Sequence, residues 1–408
     1  MAENSYKKTA IIGAGASGLI AALSAAESGK EIVLFEKQER VGRKLMQTGN
    51  GRCNISNENA GHGHYYGNTA AEKLIERFGC SETLRFFEKN GLFTRREYGG
   101  RYFPYSGQAG TVVDALRFAV MSKKNVELRL ESRVEKLLRA GNKGFYIVSG
   151  GKKEYFDAVI ICTGGPAAEK LGGCTDGQAM LSALGHKVSK LRPALVPLVT
   201  DNSYTKALKG IRIEAKAAFC AGERVLRENT GDVLFTDYGL SGPAIMDISR
   251  YFTGNGREKV VLDMAPDFSE EQIASELKKM RKIRKTAGEL ASGFLQNRLS
   301  QMIVKYAGIA PSKDAAEVTD EETEAVARAV KSFSFEVKGT MGMAMAQVTR
   351  GGAELSGFDP ETLESKTVSG LFAAGEVLNA DGECGGFNLQ WAWTSGYIAG
   401  KLGGELNA

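Results

Sequence analysis

The sequence lacks the features that mark several classes of protein. None of its six cysteines forms a CxxC pair, which argues against a dithiol–disulfide reductase and against a structural zinc site. There are only three histidines, and His62 and His64 have no carboxylate or cysteine partner at a metal-ligand spacing. We therefore expect no bound metal and a polar loop at this position.

Long apolar runs are also missing. The first nine residues lack the apolar core of a signal peptide, and no segment approaches the length of a membrane span. These features predict a cytoplasmic protein without a membrane partner. A net charge of only +5 on 408 residues likewise gives no indication of a nucleic-acid partner.

Glycine, in contrast, is abundant. The chain has 50 glycines, roughly twice the average usage, which fits an enzyme whose backbone approaches a large cofactor. Its length predicts two or three domains, because a chain of 408 residues is too long to fold around a single hydrophobic core of ordinary size.

The N-terminal end carries a dinucleotide-binding pattern. The apolar run Thr9–Ile12 ends in the sequence GAGASG, a helix pattern follows, and a second apolar run ends at Glu36. Gly13 is expected to make the turn, Gly15 to let backbone approach a pyrophosphate, and Gly18 to let helix and strand pack closely. The carboxylate of Glu36 is expected to accept hydrogen bonds from ribose hydroxyls.

Three further segments are expected to lie near the same ligand. The glycine-rich loop at 48–54 follows the second strand, and Arg43, Lys44 and Arg52 in or beside it can face phosphates. A buried strand at 157–162 runs into Thr163-Gly164-Gly165. A C-terminal strand at 370–374 leads into Gly375-Glu376, Asp381-Gly382 and a last helix from Leu389 to about Leu402.

The return of the chain to its first domain bears on the cofactor. A free-standing NAD domain usually completes its fold in one continuous segment, whereas a last strand, acid and helix from the C-terminus are typical of FAD-binding proteins. No second GxGxxG is present to hold a resident NAD(P)H. We predict a FAD-binding domain from residues 1–190 and 340–408.

The middle of the chain has a different pattern. Short alternating runs predict an inserted β-rich domain from residues 191–264 and 332–339. Residues 265–331 are charged and periodic, with capping boxes at Ser269 and Thr319, and predict a helical subdomain.

The ordered motifs also carry a family resemblance. GAGASG, GRK at 42–44, TGNGRCN at 48–54, TGG at 163–165, LFTDYGLSGPA at 234–244 and the long stretch at 374–400 occur in sequence. Across essentially the whole chain, this resembles the BaiN/RdsA family of flavin-dependent oxidoreductases, and more distantly the FAD domains of fumarate-reductase-like proteins. The resemblance implies an α/β fold: a Rossmann-type FAD-binding domain formed by both chain ends, an inserted β-barrel-like domain and a small helical subdomain.

The resemblance assigns FAD contacts to the loops described above. It implies backbone contacts from Val134 to adenine, and it places the helix that begins near Asn388 with its amides toward the flavin pyrimidine oxygen. Cys53 and Cys384 are interpreted as packing residues. Together, the residue patterns and the resemblance predict these cofactor contacts: Gly13, Ala14, Gly15, Ala16, Ser17, Gly18, Glu36, Lys37, Arg43, Lys44, Asn50, Gly51, Arg52, Cys53, Asn54, Val134, Thr163, Gly164, Gly165, Gly375, Glu376, Asp381, Gly382, Gly386, Asn388 and Leu389.

The chemistry implied by the resemblance is reductive, with NAD(P)H as a transient electron donor. A conjugated double bond of a 3-oxo bile-acid intermediate would receive a hydride at its β carbon and a proton at its α carbon. Arg101, Tyr102, Tyr105 and Tyr238 are candidate donors to the reacting carbonyl or carbon. Many family members have a histidine in segment 234–244 where this chain has Asp237, so that histidine's role does not carry over.

Two other functions remain open at this stage. Some relatives oxidise small amines such as aminoacetone with oxygen, and a flavin-binding redox sensor without turnover would share the same cofactor motifs. The inserted domain argues against the sensor, because it would form a roof over the flavin. The sequence pattern predicts neither an oligomeric state nor the identity of the small-molecule substrate.

Overall fold

The chain folds into strands and helices that are numbered here in order along the sequence. The computed structural model describes residues 6–61, 63–67, 70–141, 143–201 and 203–404. Its strands are β1 Lys8–Ile12, β2 Glu31–Phe35, β3 Ser56–Asn57, β4 Tyr65–Tyr66, β5 Thr94–Glu97, β6 Arg101–Pro104, β7 Val126–Arg129, β8 Val134–Arg139, β9 Phe145–Ser149, β10 Lys152–Phe156, β11 Ala158–Ile161, β12 Arg192–Ala194, β13 Leu198–Thr200, β14 Arg212–Ala221, β15 Arg224–Phe235, β16 Gly239–Ser241, β17 Glu258–Asp263, β18 Phe333–Thr340, β19 Val348–Arg350, β20 Leu371–Ala373 and β21 Asp381–Gly382. Its α-helices are α1 Ala16–Ala26, α2 Ala70–Arg77, α3 Cys80–Lys89, α4 Ala109–Met121, α5 Asp176–Ala183, α6 Pro243–Ile248, α7 Glu270–Met280, α8 Asn297–Tyr306, α9 Asp320–Lys331, α10 Gly342–Met345 and α11 Phe387–Gly400.

The chain divides into two units. The first unit consists of Met1–Pro193 and Gln347–Ala408, and the second of Ala194–Ala346. The second unit is therefore one continuous insertion in the first. The finer division of the insertion into a β-rich domain and a helical subdomain stays a prediction.

A parallel sheet lies at the centre of the first unit, with the strand order β20-β11-β1-β2-β7. Its strands are short apolar runs, and every residue of β11 is fully buried, as expected for parallel strands covered on both faces. Strand β20 comes from the far end of the chain and pairs with β11. The predicted Rossmann-type domain built from both chain ends is confirmed.

Glycines let the first and last helices of this unit pack at backbone distance. A Cβ atom on Gly396 would lie 2.4 Å from the carbonyl oxygen of Ser17. A Cβ atom on Gly400 would lie 2.6 Å from the carbonyl oxygen of Ala21. Any larger residue at these two positions would push α11 away from α1, so the contact holds the C-terminal helix against the helix that follows the glycine turn.

Two helix boundaries differ from the sequence-based prediction. Apolar spacing alone predicts helix across residues 69–90, whereas within 70–90 the structure has α2 and α3 with a break before Cys80. Gly79 is extended there, and its N–H donates to the Glu82 carboxylate at 3.0 Å, so that α3 begins as a separate helix. The last helix begins at Phe387, two residues earlier than expected, because Gly386 supplies a left-handed residue directly before it.

The second unit contains a closed antiparallel barrel with the strand order β13-β16-β15-β14-β17-β18. Alternate residues fill its interior: Ala215, Ala217 and Phe219 of β14 are fully buried. The predicted β-barrel-like insertion is confirmed.

Helices of the second unit share a hydrophobic core with this barrel. The two predicted capping boxes are present at their starts. Ser269 Oγ accepts the N–H of Gln272 at 3.2 Å, and Thr319 Oγ1 accepts the N–H of Glu322 at 3.2 Å. Within the ranges given above, the structure has no helix both long and apolar enough to cross a membrane.

The close packing of α1 and α11 can be tested by adding one methyl group. Gly396→Ala should lower the free energy of unfolding by about 1–3 kcal/mol, because the new atom collides with the α1 backbone. The matched control is Gly110→Ala in α4, where the nearest atom to the added Cβ is Met46 Cε at 3.8 Å. This control should gain about 0.5–1 kcal/mol in helix stability. Urea denaturation measures both, and a Gly396→Ala protein as stable as the wild type would contradict the packing argument.

Candidate functional site

The glycine turn after β1 is tightly packed at Gly13 and Gly18 but has empty space beside Gly15. Gly13 has a φ of +102°, and a Cβ there would lie 2.7 Å from the carbonyl oxygen of Cys162. A Cβ on Gly18 would lie 1.8 Å from the carbonyl oxygen of Gly13. At Gly15, in contrast, no other atom lies within 4 Å of the Cβ position. The turn is therefore closed at its two ends and accessible in its middle, where Ala16 starts α1.

The carboxylate of Glu36 spans the mouth of this turn. Its Oε2 accepts the N–H of Ala14 and its Oε1 accepts the N–H of Gln38, both at 2.9 Å. Each oxygen keeps a second lone pair that can accept a hydroxyl. The backbone carbonyl of Glu36 accepts the N–H of Ser132 at 2.8 Å, which brings the buried Val134 of β8 to the same edge of the sheet.

A second carboxylate, that of Glu376, joins segments from distant parts of the chain. Its Oε2 pairs with Lys44 Nζ at 2.8 Å, and its Oε1 accepts the N–H of Thr349 at 2.8 Å. A Cβ on Gly165 would lie 2.4 Å from Thr349 Oγ1, so that the TGG turn lies against the same group. Lys44 is thus held by a carboxylate, whereas Arg43 donates to the side-chain oxygen of Gln38 at 2.6 Å.

Other predicted contacts line the same edge of the first unit. Ser17 Oγ lies 2.5 Å from the Cβ position of Gly375, and the N–H of Gly375 donates to Ser395 Oγ at 2.8 Å. Gly164 has a φ of +71° with open space at its Cβ position. Thr163 Oγ1 lies 2.0 Å from the position that a Cβ atom on Gly177 would occupy. Lys37 is half-buried directly after Glu36.

The loop at 48–54 is wound by left-handed residues. Gly49, Asn50, Gly51 and Cys53 have φ values of +57°, +56°, +80° and +57°. Cys53 is fully buried, and burial raises the pKa of its thiol to about 12. The thiol therefore stays protonated at neutral pH, which agrees with a packing role and not with that of a nucleophile.

The polar side chains on either side of Cys53 differ in whether they have a partner within the protein. Arg52 pairs with Glu97 at 2.5 Å and lies over the ring of Phe103 at 4.3 Å, so that its charge is already matched within the protein. Asn54 Oδ1 is buried and has no hydrogen-bond partner within the described part of the chain. A buried acceptor without a donor is costly, so this atom marks a place where a ligand donor would fit.

The start of α11 offers free donors close to Asn54. A Cβ on Gly386 would lie 3.0 Å from Asn54 Oδ1. The side chain of Asn388 accepts the N–H of Gly382 at 2.8 Å and donates to its carbonyl at 2.9 Å, which fixes β21 against the helix. Across residues 6–61, 63–67, 70–141, 143–201 and 203–404, no acceptor meets the backbone N–H of Phe387, Asn388 or Leu389. These donors and the helix dipole favour a carbonyl or anionic group.

Asp381 and Leu389 lie beside these donors. Asp381 is 1% exposed on β21, opposite Tyr66 of β4, and Leu389 is half-buried in the first turn of α11. Leu389 thus belongs to the helix start, and Asp381 to the strand that Asn388 fixes against it.

Of the four candidate donors from the sequence, two lie side by side on one strand of the first unit. Arg101 and Tyr102 lie on β6, which pairs with β3 beside this helix start. Arg101 Nε lies 3.8 Å from the Cβ position of Gly385 and has no carboxylate partner in the described ranges. Burial raises the pKa of the Tyr102 phenol. Tyr105 is 70% exposed, and Tyr238 belongs to the second unit.

One cluster beside the helix start was missed by sequence reasoning. His64 Nδ1 lies 2.9 Å from Glu383 Oε2, and the hydroxyl of Tyr66 donates to Glu383 Oε1 at 3.1 Å. The imidazole ring stacks on Phe387 at 4.5 Å. No local pattern joins residues 64 and 383, which lie 319 positions apart; only the pairing of β4 with β21 brings them together.

The structure describes only part of the polar loop around His62 and His64, where no metal is expected. His62 lies outside the described residues. Within the rest, no three His, Cys, Asp or Glu side chains come together as a possible metal site.

Comparison with known proteins gives full-length matches. The chain is 36% identical over 406 residues to a 3-dehydro-bile acid delta(4,6)-reductase of Clostridium scindens, which covers 97% of this chain and 98% of the relative. It is 28% identical to a ribosomal RNA dihydrouridine synthase of Haemophilus influenzae, which covers 96% of this chain and 97% of the relative. An Escherichia coli protein of the same description is 29% identical, with 96% of each chain covered.

A solved structure shares the fold at lower sequence similarity. The 3-ketosteroid delta1-dehydrogenase of Sterolibacterium denitrificans superposes with a TM-score of 0.51 at 14% identity, covering 97% of this chain and 99% of that chain. At this identity the similarity concerns the fold alone.

Residues 7–402 match the family described as HI0933-like protein Rossmann domain. The match spans both segments of the first unit and the whole insertion. The chain therefore belongs to the HI0933-like Rossmann family, the BaiN/RdsA flavin-dependent oxidoreductases, and carries their Rossmann-type FAD-binding domain.

Proposed function

We propose that this protein is a FAD-dependent reductase that saturates a carbon–carbon double bond conjugated with a carbonyl group, with NAD(P)H as the electron donor. The observation that carries the proposal is the 36% identity, over 97% of this chain, to a 3-dehydro-bile acid delta(4,6)-reductase. The first candidate substrate is accordingly a 3-oxo steroid or bile-acid intermediate with conjugated double bonds.

The described residues fit FAD at three points. The open space at Gly15 accommodates a pyrophosphate against the start of α1, and Glu36 has lone pairs left for ribose hydroxyls. The buried Asn54 Oδ1 lacks a donor that a ligand can supply. When bound, FAD supplies the two-electron redox chemistry. The remaining predicted contacts, from Arg43 and Lys44 through Leu389, would hold the cofactor between these points.

The residues around the start of α11 are suited to a carbonyl group that gains negative charge. The N–H groups of Phe387, Asn388 and Leu389 point from a helix N-terminus, where they favour such charge. Arg101, which lacks a carboxylate partner in the described ranges, adds a cation next to Gly385. The helix amides would then hold the pyrimidine carbonyl of the flavin, and Arg101 would draw electron density toward the carbonyl of the substrate and so activate the conjugated double bond.

A second candidate substrate is uridine in RNA, because the ring of uracil also contains a double bond conjugated with a carbonyl. The observation that favours it is the β5–β6 hairpin, where Phe93, Tyr98 and Tyr105 are 67%, 96% and 70% exposed. Exposed aromatic rings beside arginines are typical of single-stranded RNA binding. However, Arg96 is neutralised by Glu58, and the absence of a nucleic-acid partner stays a prediction from the charge balance.

One anaerobic experiment separates the candidate functions. We expect NADH or NADPH to bleach the FAD-loaded protein, and a 3-oxo-4,6-diene bile acid to restore the oxidised absorbance. Restoration by ribosomal RNA lacking dihydrouridine, and not by the dienone, would establish the second candidate instead. Bleaching by an amine but not by either nicotinamide would indicate an oxidase, and no bleaching by any of them would indicate a redox sensor.

The role of the open turn is tested by filling it. Gly15→Val adds a side chain where the protein has no neighbouring atom, so the fold should remain while FAD retention after desalting falls at least tenfold. Gly61→Val is the control, because its Cβ position is equally open but lies outside the turn. Flavin absorbance and circular dichroism measure the two properties, and a Gly15→Val protein that retains FAD like the wild type would refute this assignment.

The role of Arg101 is tested by removing its charge. Arg101→Ala should lower the rate at which the conjugated substrate reoxidises the reduced protein by about 10²-fold, as expected for loss of one donor to a developing charge. Reduction by NAD(P)H and FAD content should stay unchanged. Arg96→Ala on the same hairpin is the control, since its guanidinium is held by Glu58. Stopped-flow absorbance gives both rates, and equal reoxidation rates in the two variants would rule out a role for Arg101.

A further inference from the structure

We propose that His64, oriented by Glu383, donates the proton that the α carbon of the substrate takes up. This inference rests on the proposed reductase function and names the proton donor of that same site. It differs from the donors expected from the sequence, which were Arg101 and three tyrosines.

The first support is the geometry of the pair. Both carboxylate oxygens of Glu383 are engaged, Oε2 by His64 Nδ1 at 2.9 Å and Oε1 by the hydroxyl of Tyr66 at 3.1 Å. A carboxylate held in this way fixes the orientation of an imidazole, and leaves Nε2 as the nitrogen that can exchange a proton with a ligand. The side chains are 33% and 16% exposed, so the ring is reachable while the carboxylate is largely covered.

The second support is the position of the ring. His64 stacks on Phe387, the first residue of α11, with the ring planes 14° apart. Phe387 Cε2 lies 3.3 Å from the Cβ position of Gly385, and Arg101 Nε lies 3.8 Å from that position. The imidazole and the unmatched guanidinium therefore both lie close to Phe387 at the start of α11. A substrate whose carbonyl meets Arg101 would have the imidazole near its conjugated carbons.

The other side chains near the start of α11 are less suited to donate a proton than His64. Burial raises the pKa of the Tyr102 phenol, which makes it a poorer acid. Burial also raises the pKa of Tyr65, whose hydroxyl already donates to the carbonyl of Phe387 at 2.9 Å. Histidine is the side chain whose protonation ordinarily changes between pH 5 and 8. The other described histidine, His186, is buried against Ser365.

The proton that His64 donates completes the reduction of the double bond. Reduction of the double bond adds a hydride to the β carbon and a proton to the α carbon, and the two electrons come from NAD(P)H, which becomes NAD(P)+. The N–H bond at Nε2 of the imidazolium breaks as the electron pair of the enolate forms the C–H bond at the α carbon. The imidazole then regains a proton from water.

The groups that can titrate around the ring are few in the described part of the chain. Glu383 and Tyr66 face it directly, and Cys384 follows Glu383 along the chain. The carboxylate of Glu72 accepts the N–H of Gly63 at 2.9 Å, next to His64. On the β5–β6 hairpin, Arg101 Nε lies 3.8 Å from the Cβ position of Gly385, which is itself 3.3 Å from Phe387.

The experiment separates the two halves of the reaction in His64→Gln and Glu383→Gln. In both variants FAD content and the rate of reduction by NAD(P)H should equal those of the wild type. Reoxidation by the conjugated substrate should fall about 10²-fold or more in His64→Gln. Glu88→Gln on the exposed face of α3 is the matched control, because it makes the same change of charge away from the pair and should stay within about threefold of the wild type.

A readout that does not depend on turnover tests the pair itself. Nitrogen-15 NMR of the histidine rings in the FAD-loaded protein should show the neutral His64 ring with its proton on Nδ1, and Glu383→Gln should change this tautomer preference. Either an Nδ1 tautomer absent from the wild type or a His64→Gln protein that is reoxidised at the wild-type rate would overturn the inference alone. A wild-type protein that no conjugated carbonyl compound reoxidises would overturn it together with the proposed function.

Discussion

The contact between α1 and α11 is the constraint on which the rest of the first unit depends. Gly396 and Gly400 bring α11 to within backbone distance of α1, and β20 completes the parallel sheet beside β11. Because the chain closes in this way, segments from residues 375–389 meet the glycine turn and the loop at 48–54. Without that closure the N-terminal turn would have a place for a pyrophosphate and nothing to receive the far end of a cofactor.

Carboxylates hold the closed arrangement together at three places along the site. Glu36 ties the glycine turn to the segment after β2, Glu376 ties Lys44 to Thr349, and Glu383 ties His64 to Tyr66. Most of these bonds join residues more than 20 positions apart, and several join residues more than 300 apart. Each carboxylate accepts N–H or O–H donors, so its charge is compensated locally. The groups left without partners in the described ranges, Asn54 Oδ1 and the first amides of α11, are therefore conspicuous as places for a ligand.

Much of the fold could be predicted because its signals are local. Apolar runs predicted β1, β2, β11 and β20 to within one residue at each end, and the capping boxes at Ser269 and Thr319 form as expected from the spacing of their residues. The helix break at Gly79 was missed because the apolar periodicity continues on both sides of it, and the Glu82 carboxylate that starts α3 anew gives only a weak local signal. Of the four expected proton or hydrogen-bond donors, Arg101 and Tyr102 lie on β6, Tyr105 is exposed and Tyr238 lies in the second unit, and their role as donors stays a prediction.

By itself, the sequence determined the type of fold and the kind of cofactor, because glycine spacing, apolar periodicity and the returning C-terminal motifs are properties of short stretches. The tertiary structure alone decided which charges are matched and which are free. In the sequence, nothing distinguishes Arg101 from Arg52 and Lys44. In the structure, Arg52 pairs with Glu97 and Lys44 with Glu376, whereas Arg101 has no carboxylate partner among the described residues. His64 likewise acquires its carboxylate only when β4 pairs with β21. Electrostatic partners are set by distance in space, and no local pattern along the chain records that distance.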